Sequence, residues 1–135
     1  IHRGGGGKII NMSSVSGKIG NAKFAAYCAS KFGVIGFTQS LAREMAEHKV
    51  TVNAICPSLV DTERVFGMAS ALKPDADTST EEWRDEMVAQ TNANNPMGRI
   101  AQAKDVADVA AFLASSQADY LTGLAINVAG GSYMG

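Results

Sequence analysis

Tyr27 and Lys31 are the residues of this sequence whose types and spacing best fit chemistry. They are four apart in the longest helical pattern, and positions i and i+4 lie one above the other on the same face of a helix. A free phenol ionises only near about pH 10, but a neighbouring cation stabilises the phenolate. The pair therefore indicates a general acid and base, although most such pairs on helices are simply solvated.

Ser14 is the second candidate, and it lies thirteen residues before Tyr27. It ends a short apolar run at residues 8–14 that has the pattern of a strand buried in a parallel sheet. The carboxyl ends of such strands face the crevice where open α/β sheets bind ligands. A serine there would hydrogen-bond a substrate oxygen while the tyrosine gives or takes its proton.

Strands and helices alternate around these residues, which is typical of an α/β fold with a parallel sheet. Strands are predicted at 8–14, 50–56 and 124–129. Helices are predicted at 23–48, 80–92 and 104–115, with loops at 15–22, 57–62 and 63–78 and a glycine-rich connector at 1–7. This order predicts three parallel strands with right-handed crossovers, the first strand forming an open edge.

Two local signals refine the predicted helices. Ser79 and Glu82 have the spacing of a capping box and predict the start of the helix at 80–92. Gly33 and Gly36 would each cost about 1 kcal/mol inside a helix unless something packs against them. They therefore predict a close contact with another helix.

Composition narrows the class of protein. The formal net charge is −1 with no basic stripe, so nothing indicates a nucleic-acid or membrane-surface partner. No apolar run approaches the ~20 residues that span a bilayer, and residues 1–4 show no signal-peptide pattern, so we expect a cytoplasmic protein. Cys28 and Cys56 lie outside any CxxC or histidine cluster, which predicts buried thiols and no metal site.

The sequence resembles the short-chain dehydrogenase/reductase family over essentially all of its 135 residues. The segments that match in the family's order and spacing are 10–14, Tyr27 with Lys31, 53–57 with Val60 and Thr62, 121–123 and 129–131. The family fold is a doubly wound, Rossmann-like parallel sheet. The matched segments resemble only its second, C-terminal half, which implies three parallel strands with flanking helices.

The resemblance implies an oxidoreductase that uses NAD or NADP to interconvert a small-molecule alcohol and a ketone or aldehyde by hydride transfer. Tyr27 would be the general acid in reduction and the base in oxidation. Lys31 would stabilise its phenolate, both would lie against the nicotinamide ribose, and Ser14 would orient the substrate oxygen. The family uses the helix at 23–48 in a subunit interface, which implies a homo-oligomer, and covers the substrate with the segment at 63–78.

The loop at 57–62 corresponds to the family segment that holds the nicotinamide carboxamide. By resemblance, Pro57, Val60 and Thr62 would line that site. The family commonly has glycine where this chain has Ser58, and serine resists some backbone angles that glycine adopts. A turn of this composition needs no ligand by itself, so its assignment depends on the other motifs.

Several family motifs have no counterpart in these residues. They are the glycine-rich turn Thr-Gly-x-x-x-Gly-x-Gly that holds the pyrophosphate, the residue that reads the adenosine ribose, the Asn-Asn-Ala-Gly stretch and the active-site asparagine. We therefore expect residues 1–135 to form one domain, the C-terminal half of the fold, without the dinucleotide-binding half. That half would belong to a longer reductase or to a partner chain; a product without redox chemistry is the third alternative.

Two other functions stay open on the residues alone. A cofactor-independent serine hydrolase would use Ser14 as nucleophile, Tyr27 as base and Lys31 to stabilise the phenolate. The sequence lacks Gly-x-Ser-x-Gly around Ser14, which disfavours this function. A non-catalytic half-domain would instead assemble with a partner through its edge strand and its broad apolar helix.

Overall fold

The computed structural model of the protein describes residues 5–135. The expectations for residues 1–4, including most of the predicted connector, lie outside this range. In chain order the elements are β1 (Gly7–Met12), α1 (Ala25–Met45), β2 (Val50–Pro57), β3 (Val60–Asp61), α2 (Glu63–Leu72), α3 (Thr80–Asn94), β4 (Ala101–Gln102), α4 (Ala103–Ala114) and β5 (Ala125–Val128).

A parallel sheet in the order β1-β2-β5 forms the centre of the structure. The three predicted parallel strands are therefore confirmed, and β1 lies at an edge as expected. In the register of β1 and β2, Ile10 is opposite Asn53 and Met12 is opposite Ile55. The carboxyl ends of these two strands consequently lie side by side.

Helices cover both faces of this sheet. Side chains alternate between the faces of a strand, so Val50 and Val52 lie on one face of β2 and Ile55 on the other. The valines pack with Ala42 of α1, whereas Ile55 packs with Leu113 of α4. The arrangement is the partial, doubly wound α/β fold that was predicted.

The predicted loop at 57–62 was wrong in part, because it contains β3. This short strand pairs in parallel with β4, with Val60 opposite Ala101. Two-residue strands have too few side chains to show alternation, so the sequence carries no periodic signal for them. The resulting two-stranded sheet is separate from the central one.

The predicted loop at 63–78 was also wrong, because its first part forms α2. Apolar side chains at Val65, Met68, Ala69 and Leu72 have the i, i+3, i+4, i+7 spacing of a helix. Val65 is 1% exposed and Ala69 is fully buried, so this face is part of the core. The signal was present in the sequence and was misjudged as irregular.

The other boundaries agree more closely. The helix predicted at 23–48 ends as α1 at Met45 and continues as a 3-10 turn at Ala46–His48. The capping box is confirmed: the Ser79 hydroxyl accepts a hydrogen bond from the Glu82 amide at 3.1 Å, and the Glu82 carboxylate accepts one from the Ser79 amide at 3.1 Å. The remaining predicted elements begin and end within two residues of the observed ones.

Both cysteines are free and buried, as predicted, and burial raises the pKa of the Cys56 thiol. Within residues 5–135, no group of three or more His, Cys, Asp or Glu side chains is placed to hold a metal ion. The helices in this range are all too short or too polar to cross a membrane.

Leu113 tests whether α4 is held by the core on its face of the sheet. It is 1% exposed, whereas its neighbour Phe112 is 41% exposed. Leu113→Ala should lower the free energy of unfolding by about 2–5 kcal/mol, because it leaves a cavity against Ile55. Urea denaturation measures this value, with Phe112→Ala as the matched control, and equal losses in both variants would contradict the packing described.

Candidate active site

A cavity of about 700 Å³ opens at the carboxyl ends of β1 and β2. Its lining includes all of the residues that the sequence nominated, namely Ser14, Tyr27, Lys31, Pro57, Val60 and Thr62. A smaller cavity of about 230 Å³, near β4 and the end of β5, contains none of them. The structure thus brings the predicted site residues to one place, while their individual roles stay predictions.

Ser14 lies two residues after the end of β1 and caps the 3-10 turn Val15–Gly17. Its hydroxyl oxygen accepts a hydrogen bond from the Ser16 amide at 3.1 Å, which orients the side chain. The same hydroxyl lies 3.4 Å from the carbonyl oxygen of Pro57. That distance is long for an O–H donor, so the contact is weak and the proton is available to a better acceptor in the cavity.

Tyr27 and Lys31 lie in the first two turns of α1. The Lys31 ammonium is 5.7 Å from the centre of the Tyr27 ring and donates a hydrogen bond to the carbonyl of Met12 at 2.9 Å. An ammonium has three donors, so others stay available to a ligand. The Lys31 ammonium therefore lies on the same side of α1 as the Tyr27 ring.

A second cation lies against the same ring. The guanidinium of Arg64, from the first turn of α2, is 4.9 Å from the centre of the Tyr27 ring. This separation is within the range of cation–π contact. Arg64 was not predicted as a site residue, because it belongs to the segment that was misjudged as a loop.

The turn that follows β1, residues 13–17, makes a close contact with α1; we call it the serine turn. The Ser13 hydroxyl donates a hydrogen bond to the Lys31 carbonyl at 2.8 Å, and the Ser13 amide donates one to the Ile55 carbonyl at 2.8 Å. A Cβ added at Gly17 would lie 2.7 Å from the Lys31 carbonyl oxygen. Glycine is needed here because the two backbones approach each other too closely for a side chain.

The loop after β2 offers polar groups to the cavity. The Ser58 hydroxyl is buried and has no hydrogen-bond partner among the described residues, and Thr62 makes only a 3.4 Å contact with the Val60 carbonyl. An unpaired buried hydroxyl is costly and favours a polar ligand. Ser58 does not have the positive φ that would require glycine, so its substitution is compatible with the loop.

Further lining residues escaped the sequence reasoning. They are Phe24, Ser58, Leu59, Arg64 and Met68 among others. The helical spacing in α2 would have identified the last two as neighbours on one element. No local pattern marks the rest, because their position depends on how the loops fold over the sheet.

Known proteins resemble this chain along nearly its whole length. A family model described as enoyl-(acyl carrier protein) reductase matches residues 1–133. The chain is 41% identical over 128 residues to 3-oxoacyl-(acyl-carrier-protein) reductase FabG of Haemophilus influenzae, a match covering 95% of this chain and 47% of that protein. The chain therefore spans about half the length of the relatives it matches.

Solved structures agree with the sequence relatives. An actinorhodin polyketide ketoreductase with NADPH superposes with a TM-score of 0.84 at 38% identity, covering 97% of this chain and 48% of that one. A 3-oxoacyl-(acyl-carrier-protein) reductase with bound NAD from Brucella melitensis superposes with a TM-score of 0.74 at 34% identity, covering 95% and 41%. Both structures share the fold, and both were solved with a nicotinamide dinucleotide.

Gly17 provides a test of the joint between the serine turn and α1. Gly17→Ala should lower the free energy of unfolding by about 1–3 kcal/mol, because its methyl group would collide with backbone. Gly20→Ala is the matched control in the same loop, since a Cβ there meets nothing within 4 Å. Urea denaturation of both variants checks this, and a Gly17→Ala protein as stable as the control would show that the close contact does not exist.

Proposed function

This chain belongs to the short-chain dehydrogenase/reductase family, and on that basis we propose that it is the catalytic half of an NAD(P)-dependent oxidoreductase. The reaction interconverts an alcohol and a ketone or aldehyde by hydride transfer. The observation that supports this most is the convergence of Ser14, Tyr27 and Lys31 on one cavity at the carboxyl edge of the sheet. That edge is where ligands bind in folds of this kind.

In the proposed mechanism, Tyr27 donates its hydroxyl proton to the substrate oxygen during reduction and accepts it during oxidation. The Lys31 ammonium stabilises the phenolate that forms when the proton leaves. Ser14, oriented by the Ser16 amide, donates a hydrogen bond to the same substrate oxygen and fixes its direction. When bound, the nicotinamide cofactor supplies or accepts the hydride.

The loop after β2 is proposed to hold the nicotinamide end of the cofactor. Pro57 and Val60 would contribute backbone groups, and Ser58 and Thr62 would contribute hydroxyls. Lys31 would hold the ribose. The chain contains no glycine-rich turn of the kind that holds a pyrophosphate. We therefore propose that a dinucleotide-binding half completes the site, either in the same polypeptide or in a partner chain.

The serine hydrolase alternative is less well supported. A nucleophilic serine needs a base within hydrogen-bond reach. In the described part of the chain, the partners of the Ser14 hydroxyl are the Ser16 amide and the Pro57 carbonyl, and neither is a base. We accordingly favour a role for this hydroxyl in orienting substrate.

We also propose that α1 forms an interface with a second copy of the chain. Phe32 and Phe37 are 46% and 58% exposed on this helix. A Cβ at Gly33 or Gly36 would meet nothing within 4 Å. The close contact predicted for these glycines is therefore not made within residues 5–135, and a second copy would supply it while covering the aromatic side chains.

Tyr27→Phe tests the proton-transfer role. The variant keeps the ring but loses the hydroxyl, so turnover of carbonyl substrates should fall at least ~100-fold while the fold is unchanged. Nucleotide absorbance measures turnover in the enzyme assembled with its dinucleotide-binding half, and circular dichroism checks the fold.

Tyr120→Phe is the matched control, because Tyr120 is fully exposed on the surface. Retained turnover in Tyr27→Phe would contradict the assignment. Nucleotide-independent hydrolysis of a p-nitrophenyl ester, lost in Ser14→Ala, would support the hydrolase instead.

Phe37→Glu tests the proposed interface. A charge on this exposed helix face should weaken association, because it would have to be buried against the second copy. Sedimentation velocity should show a smaller assembly than for the unmodified protein. Phe112→Glu, on an exposed position of α4, is the control, and an unchanged mass for Phe37→Glu would exclude α1 as the interface.

A further inference from the structure

The charged side chains in the described lining of the cavity beside Tyr27 are cationic. Among the described residues that line it, Lys31 and Arg64 carry positive charge, and no Asp or Glu side chain is present. The remaining lining consists of apolar residues such as Val65 and Met68, hydroxyl-bearing residues such as Ser14, and the amide of Asn21. When a cleft is lined by charges of one sign and has low-dielectric walls, it focuses the electric field of those charges. Such a cleft attracts ligands of the opposite charge.

Lys31 and Arg64 differ in whether their N–H groups donate hydrogen bonds to the protein. Lys31 donates to the Met12 carbonyl. Arg64, in contrast, is an exposed residue whose guanidinium makes no hydrogen bond and no ion pair with another protein group within residues 5–135. Two other arginines of the chain are paired: Arg84 contacts Asp61 and Arg99 contacts Asp105, each at 2.6 Å.

The position of Arg64 is defined by its contact with the tyrosine ring. Its guanidinium lies 4.9 Å from the centre of that ring, and Arg64 is part of the cavity lining. A guanidinium presents five N–H donors in a planar fork that matches the two oxygens of a carboxylate. An anionic group bound there would lie within a few bonds of a carbonyl that receives the tyrosine proton.

We propose that Arg64 binds a carboxylate of the substrate, and that the substrates are short oxo acids and the corresponding hydroxy acids. This inference rests on the proposed function, because it takes the reacting carbonyl to be beside Tyr27. The shared chemistry is recognition of an anionic oxygen group by a guanidinium. A phosphate of the dinucleotide is the other source of such a group, and the experiment separates the two.

The test compares an oxo acid with its neutral isostere. The ratio of kcat/KM for 3-oxobutanoate to that for 3-oxobutanamide should fall about 10- to 100-fold in Arg64→Gln, because only the acid loses a charge-assisted hydrogen bond. Arg64→Lys should restore part of the ratio. Arg43→Gln is the matched control: Arg43 is exposed on α1, outside the cavity, and has no ion pair in the described range.

Two other results would contradict carboxylate binding by Arg64. A rise in KM for NADH or NADPH in Arg64→Gln, with the ratio unchanged, would assign Arg64 to the cofactor phosphate and overturn the proposal. Preference for a neutral 3-oxoacyl thioester over the acid by the unmodified protein would also overturn it.

Calorimetric titration with 3-oxobutanoate needs no turnover and keeps the two proposals distinct. Binding that is lost in Arg64→Gln, in a protein that reduces no carbonyl even when it is assembled with its dinucleotide-binding half, would uphold the anion site and reject the oxidoreductase. If the protein reduces 3-oxobutanamide, and Arg64→Gln does not change the binding of 3-oxobutanoate, the oxidoreductase would be upheld and the anion site rejected.

Discussion

The parallel pairing of β1 with β2 is the constraint on which the cavity depends. Because Met12 lies opposite Ile55, β1 ends two residues before β2, and the turn after β1 lies beside the last residues of β2. Packing of α1 on one face and α4 on the other holds this register. A slip of one residue would move every buried side chain to the opposite face, so the core determines the position of the cavity.

Ser13 links the sheet to α1 through two hydrogen bonds. Its amide is bound to the Ile55 carbonyl in β2, and its hydroxyl is bound to the Lys31 carbonyl in α1. Gly17 allows the turn to approach the helix closely enough for the second bond. The neighbouring Ser14 and the Tyr27–Lys31 pair are thereby held by rigid elements, which is the arrangement that proton transfer requires.

Much of this arrangement was readable from local patterns. The i, i+4 spacing placed Tyr27 and Lys31 on one helix face, and apolar runs identified the three strands of the central sheet. The capping box of Ser79 and Glu82 located α3. The same helical spacing in Val65 and Ala69 was overlooked, so α2 and with it Arg64 were missed. β3 could not be found, because two residues do not establish a period.

The sequence by itself determined the parallel α/β fold and the candidate tyrosine, lysine and serine, because strand burial and helical spacing are properties of neighbouring residues. Only the tertiary structure decided that the Arg64 guanidinium lies against the Tyr27 ring. Within the described residues it also decided that the Ser58 hydroxyl is buried without a partner, and that no carboxylate joins the two cations in the cavity lining. These features arise from packing between segments far apart in the chain. No short-range pattern encodes such contacts, so the charge of the cavity became visible only once the chain was folded.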